Sequence, residues 1–270
     1  MRLDAAVAAR GLARSRTHAA RLISAGLVEV DGVAVVKPAA PVADDAAVVV
    51  AATDHYVSRA AHKLIAGLDA FGVDVAGRGA LDIGASTGGF TQVLRERGAE
   101  PVVALDVGHG QFAAELAADR GIVVVEGFNA RDLTPGALAA ASGTRQSPTV
   151  ITGDLSFISL TRVLDPIAAV AAPDADIVLL IKPQFEVGRT GVREGLVTDP
   201  RRRADAVATV LWAAWDAGLG TFGLIRSPVV GTHGNVEFVV HLRTQARAGD
   251  RPDGNPTEWM STVDRWAGER

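Results

Sequence analysis

The sequence predicts an α/β protein in two parts, a small α+β unit over residues 1–52 and a larger domain, 59–245, built on a mostly parallel sheet with helices on both faces. Three observations carry this. From residue 59 apolar runs alternate with helical stretches, a glycine-rich turn follows the first run, and an arginine-rich segment with a hairpin signal precedes them all. A chain of 270 residues has room for one small module and one medium core.

Composition narrows the function. The apolar content of 48% supports a proper core, and the net charge of −4 argues against wholesale coating of nucleic acid while leaving room for a local basic face. The absence of cysteine removes disulfides, thiolate metal sites and cysteine nucleophiles. The six histidines (His18, His55, His62, His109, His233 and His241) are scattered without an HExxH pair, so a metal-free enzyme is expected. The N-terminus, with Arg2, Asp4 and Arg10, lacks the pattern of a secretory signal, and no run reaches the ~18 apolar residues of a membrane span. The expectation is a cytoplasmic protein without a membrane partner.

In the first unit, Ser15 and Thr17 offer caps to a helix through Ala19–Ile23 that ends at Gly26. Leu27, Val28 and Val30, the turn Asp31-Gly32, and Val33, Val35 and Val36 then read as a hairpin, because Asp-Gly favours the turn whose twist matches paired strands. Residues 2–21 hold five arginines against one acid, a candidate phosphate-binding face that charge alone does not separate from a solvated helix surface. The run from Arg10 to Arg16, with Ala19–Ile23, Gly26-Leu27-Val28, Val30-Asp31-Gly32 and Lys37-Pro38, resembles the S-four RNA-binding domain. That resemblance implies that Arg14, Arg16, Arg21 and Lys37 touch structured RNA, with Arg2 and Arg59 as further candidates. Residues 53–58 lack a period and read as the linker, with Ser58 as the cap of the next helix.

In the second unit the apolar runs are 80–83, 102–105, 122–125, 150–152 and 177–181, with a later strand starting at Asn235. In such an architecture ligands sit at the carboxyl ends of the strands. The first run ends in Asp82-Ile83-Gly84-Ala85-Ser86-Thr87-Gly88-Gly89-Phe90, a turn in which backbone can approach a ligand closely but whose spacing matches a nicotinamide fingerprint poorly. Asp106 ends the second run, placed to accept the ribose hydroxyls of an adenosine-containing ligand. Asn129 and Ala130, after the third, are placed to read an adenine edge. Asp154 ends the fourth run and Lys182 follows the fifth. Because a buried ammonium is costly without a partner, Lys182 should have an acid beside it. Asp154, Glu237 on the late strand and Lys63 on the helix before the first run are candidates to converge there, as a site that holds a sugar hydroxyl and moves its proton.

The order Lys63, Asp154, Lys182, Glu237, with the loop Asp82–Phe90 and the segments Asp154–Ser159 and Lys182–Glu186, resembles the RrmJ/FtsJ class of ribose methyltransferases. Together with the first unit, the chain to about residue 245 resembles the TlyA family of rRNA cytidine 2′-O-methyltransferases, also called hemolysins. The resemblance implies a Rossmann-like class I methyltransferase domain with a mostly parallel seven-stranded sheet. It implies S-adenosyl-L-methionine as cofactor, bound by the loop Asp82–Phe90, Asp106, Asn129, Ala130 and Asp154. The implied partner is ribosomal RNA in a ribosomal subunit, and the acceptor a cytidine ribose of large-subunit rRNA. By the same resemblance small-subunit rRNA is a second candidate acceptor, with an influence on capreomycin-type susceptibility, since some actinobacterial members modify both. Those members tend to carry an extra basic N-terminal extension that is not seen in this sequence, which argues against the second acceptor. A nicotinamide oxidoreductase would need a better phosphate loop, and a membrane-lysing protein would need an amphipathic or spanning element. The tail, 246–270, is expected to hold little beyond a short helix around Trp259–Trp266.

Overall fold

The computed structural model describes residues 1–13, 15–24, 26–50, 55–188, 195–231, 234–244 and 254–268, without the side chains of Arg21, Ala267 and Gly268. The chain divides into two units, Met1–Ser58 and Arg59–Arg270. In the first, α1 (Leu3–Ala9) and α2 (Arg16–Ser24) bury Leu3, Ala6 and Val7 and then Ala19, Leu22 and Ile23, the one-sided spacing of amphipathic helices. Ser15 Oγ accepts from His18 N at 3.1 Å and so caps α2. Strands β1 (Val28–Val30) and β2 (Val33–Ala34) meet across Asp31 and Gly32, whose φ values of 50° and 78° are those of the twist-matching turn. A third strand, β3 (Val48–Val50), pairs antiparallel with β1, Glu29 opposite Val49, an addition to the hairpin.

The second unit carries a seven-stranded sheet. Its strands are β4 (Ala80–Ile83), β5 (Val102–Leu105), β6 (Ile122–Val125), β7 (Val150–Gly153), β8 (Asp176–Ile181), β9 (Leu219–Arg226) and β10 (Phe238–Thr244), in the order β6-β5-β4-β7-β8-β10-β9. The first five are parallel, and β10 runs antiparallel between β8 and β9. Strands β4, β5, β7 and β8 are buried throughout, which is why they read as largely apolar runs, broken by the buried Asp82, Thr152 and Asp176. The connecting helices are α3 (Ala61–Phe71), α4 (Gly89–Glu96), α5 (Ala114–Ala117), α6 (Pro135–Ser142), α7 (Leu164–Val170), α8 (Pro183–Glu186) and α9 (Pro200–Asp216).

Three details differ from the sequence reading. Ala60, not Ser58, sits at the N-cap of α3, which starts two residues later than the serine would require. The late strand starts at Phe238, because Asn235 is used elsewhere: its Oδ1 accepts from Val197 N and its Nδ2 donates to Gly195 O. The C-terminal segment is part of the core. In α10 (Met260–Gly268) and the turn before it, Val263 is buried and Trp259, Met260 and Trp266 pack against the main cluster. Trp259 Nε1 donates to Thr221 O and Thr221 N donates to Gly254 O, so the segment covers the edge strand β9.

Candidate active site

A cavity of about 560 Å³ opens at the carboxyl ends of β4, β5 and β7, within the range of small-molecule sites. Its walls include Gly84 and Ser86 after β4, Asp106 after β5, and Asn129 and Ala130 after β6. Glycine at 84 has a packing reason: its φ is +81°, and a Cβ there would lie 3.2 Å from Asp154 O and 3.3 Å from the Leu155 side chain. The turns after β4 and β7 therefore close against each other under the cavity. Asp106 is held by two backbone donors, Ser86 N to Oδ2 at 2.8 Å and Gly108 N to Oδ1 at 2.7 Å. Each oxygen keeps a lone pair, so a fixed carboxylate faces the cavity with capacity for a diol.

Not every residue expected at the cofactor lies on this wall. Asp82 is fully buried beneath it, with Thr91 Oγ1 donating to Oδ2 at 2.6 Å and Thr152 Oγ1 to Oδ1 at 3.1 Å. Burial pushes its carboxyl up to about 7 against the opposing pull of the threonine hydroxyls, and the charge of Asp154 adds to the rise. Asp82 is a brace between β4, α4 and β7 and does not line the cavity. Ala85, Thr87, Gly88, Gly89 and Phe90 are likewise absent from the wall. A Cβ on Gly88 would lie 2.6 Å from Leu116 and 3.0 Å from Phe112, so this glycine serves the packing of α4 against the following segment. Gln111 and Phe128 also line the cavity and carry no signal in the sequence, while Arg131 and the stretch Leu155–Ile158, which lie in segments the sequence reading singled out without assigning them to the cofactor, line it too. Its position after a strand end is the physical signal for that stretch.

The four residues proposed to handle the proton form two buried ion pairs. Lys63 Nζ meets Glu237 Oε2 at 2.6 Å, and Lys182 Nζ meets Asp154 Oδ1 at 2.7 Å. Gln184 Nε2 adds a bond to Glu237 Oε1 at 3.2 Å, and Lys182 donates to Ser156 Oγ at 2.7 Å. Lys63, Lys182 and Glu237 are 5%, 8% and 2% exposed, so each charge is matched locally rather than solvated. Asp154 alone of the four lines the cavity and thereby joins the ion pairs to it. Two further contacts shape the spot. Phe185 lies 5.9 Å from Lys182 Nζ, and Glu186 fastens α8 to the turn after β7 by accepting from Ser159 Oγ and Leu160 N.

Of the residues expected at RNA, Arg2 and Arg16 lie on the first unit with half-exposed side chains, both drawn to Asp4: Arg2 Nη2 at 2.9 Å and Arg16 Nε at 3.2 Å. The paired guanidinium groups hold the Asp4 carboxyl well below the usual carboxylate range. Lys37 is exposed and Arg59 half-buried, in different units. Arg14 lies outside the described residues, as does the side chain of Arg21. Arg10, counted in the basic excess, is spent on the carbonyls of Ala43, Asp44 and Ala46. Among the described residues no helix is long and apolar enough to cross a membrane.

Comparison with known proteins agrees with this geometry. The family model of the FtsJ-like methyltransferases matches residues 56–244, and that of the S4 domain matches residues 1–48. The chain is 51% identical over 247 residues to the Mycobacterium tuberculosis 16S/23S rRNA (cytidine-2′-O)-methyltransferase TlyA, covering 90% of each. It is 38% identical over 244 residues to hemolysin A of Brachyspira hyodysenteriae, covering 90% of this chain and 99% of that one. The solved structure of a Streptococcus thermophilus chain that carries the hemolysin name superposes with a TM-score of 0.75 at 34% identity, over 99% of this chain and 95% of the other. With an FtsJ-like methyltransferase model over residues 56–244, an S4 model over residues 1–48 and a TlyA relative 51% identical over 90% of the chain, the chain belongs to the S4-bearing TlyA family of FtsJ-like methyltransferases.

Proposed function

We propose that this protein methylates the ribose 2′-oxygen of a cytidine in ribosomal RNA, chiefly that of the large subunit, in the cytoplasm and with S-adenosylmethionine as donor. The observation that carries the reading is the position of Asp154, at once on the cavity wall and in contact with Lys182. The fixed Asp106 carboxylate suits the ribose of the cofactor, and the cavity volume suits its nucleoside. When bound there, the cofactor supplies an electrophilic methyl carbon on a sulfonium.

The chain's own residues supply the rest. Asp154 and Glu237 orient the two lysines, and an oxygen placed in line with the methyl carbon must lose its proton as it reacts. Lys182 takes that proton; the ammonium so formed stands beside Asp154, where its charge is met at once. Lys63, tied to Glu237, holds the buried frame next to Lys182. The S4 domain, through Arg2, Arg14, Arg16, Arg21 and Lys37, docks the RNA, with Arg59 of the second unit as a further contact.

The test is transfer of labelled methyl to isolated 23S and 16S rRNA and to ribosomal subunits, followed by mapping of the modified nucleoside. The expected product is 2′-O-methylcytidine, absent with Lys182→Ala while cofactor affinity stays within about threefold, the pattern of a group that serves the transition state. A methyl on a base atom, or a fully active Lys182→Ala, would sink the reading.

A further inference from the structure

Lys182 is 8% exposed and is not itself among the residues that line the cavity. Ser156 lies in that turn, is exposed, lines the cavity and holds its Oγ 2.7 Å from Lys182 Nζ. The neighbouring Phe157 has a φ of +66°, a left-handed conformation costly for a non-glycine residue, so the turn is held in a specific shape beside the cavity. A hydroxyl that touches both the cavity and a buried amine is the geometry of a proton relay. Hydroxyls suit this use because each donates one hydrogen while accepting another.

We propose that Ser156 is a catalytic residue, passing the proton of the acceptor hydroxyl to Lys182. The inference rests on the 2′-O-methylation reading. The relay starts once the Lys182 ammonium has given one hydrogen to solvent, so that Nζ accepts from Ser156 instead of donating to it: as the acceptor O–H bond breaks, its hydrogen goes to Ser156 Oγ, and the hydrogen of Ser156 goes to the lone pair on Nζ. The acceptor oxygen bonds to the methyl carbon, and the electron pair of the broken carbon–sulfur bond stays on sulfur. Ser156 ends as it began, a hydroxyl, and the sulfonium's positive charge reappears as the Lys182 ammonium beside Asp154.

Two measurements on the full chain test this. In single-turnover transfer with saturating donor and rRNA, Ser156→Ala should be slower by about 10²-fold, the scale of a lost acid–base contact. The dependence of rate on deuterium fraction should change from curved, two hydrogens in flight, to linear. In the cofactor-free protein, ¹⁵N-lysine NMR should show the Lys182 Nζ hydrogens exchanging with water several-fold more slowly in the variant, because its path to the cavity is closed. A Ser156→Ala rate within about twofold of wild type, a curved dependence that persists, or faster Nζ exchange would each overturn the relay, the last by marking Ser156 as a shield. An active Lys182→Ala would instead remove the reading beneath it.

Discussion

Asp82→Asn separates a structural acid from a cofactor-binding one. The carboxyl is fully buried and raised to about 7 from an ordinary 3.8. The sign follows from linkage: an acid whose folded-state pKa is raised binds more protons folded than unfolded, so stability falls as pH climbs between the two values. At about 1.4 kcal/mol per pH unit, the charged carboxylate costs about 4 kcal/mol above pH 7, and about 3 kcal/mol of that is lost between pH 5 and pH 8. An amide keeps an acceptor and gains donors for the Thr91 and Thr152 hydroxyls without carrying charge. The assay is urea unfolding followed by tryptophan fluorescence, which reports the second unit alone because Trp212, Trp215, Trp259 and Trp266 all lie there. The stability of Asp82→Asn minus that of wild type should grow by about 3 kcal/mol from pH 5 to pH 8, while affinity for S-adenosylmethionine is kept. A difference that stays flat with pH refutes the electrostatic argument. A loss of cofactor affinity refutes the placement of Asp82 beneath the cavity.

Asp106→Ala should show the opposite selectivity: cofactor binding by calorimetry weakens by about 10- to 100-fold, as for a lost charge-assisted bond, with little change in unfolding. Asp4→Asn makes a prediction of sign in RNA binding. Removing a negative charge from a phosphate-binding face would tighten binding on charge alone, whereas freeing Arg2 and Arg16 from their shared anchor should weaken it by a few-fold; filter binding across a salt series decides, and tighter binding rejects Asp4 as an organiser. Glu186→Ala removes both bonds between α8 and the turn after β7, so cofactor affinity and methyl transfer should fall together, on the scale of about 1–3 kcal/mol for an unsatisfied pair; if neither changes, the strap is dispensable.

The sequence showed the parallel strands best because burial on both faces leaves an unbroken apolar run, as in Val102–Leu105 and Ile177–Ile181. It hid β3 and β9, which exist as edge strands through their pairing with a neighbour, Val28–Val30 for one and β10 for the other. The site was legible in a similar, partial way. Residue types and strand ends pointed to Lys63, Asp154, Lys182 and Glu237, but an acid at a strand end can face up into a ligand, like Asp106, or down into the core, like Asp82, and composition does not say which. Nor does it say how four charges pair. Register places Phe238 opposite Ile181, so Glu237 arrives beside the end of the strand that carries Lys182, and proximity along the sheet would pair those two. The structure gives Glu237 instead to Lys63, 174 residues away, and leaves Lys182 to Asp154. That division has a chemical consequence, since a lysine paired with the one acid that also lines the cavity stays coupled to whatever binds there. The Lys63 pair, closed by Gln184, can be spent on holding shape.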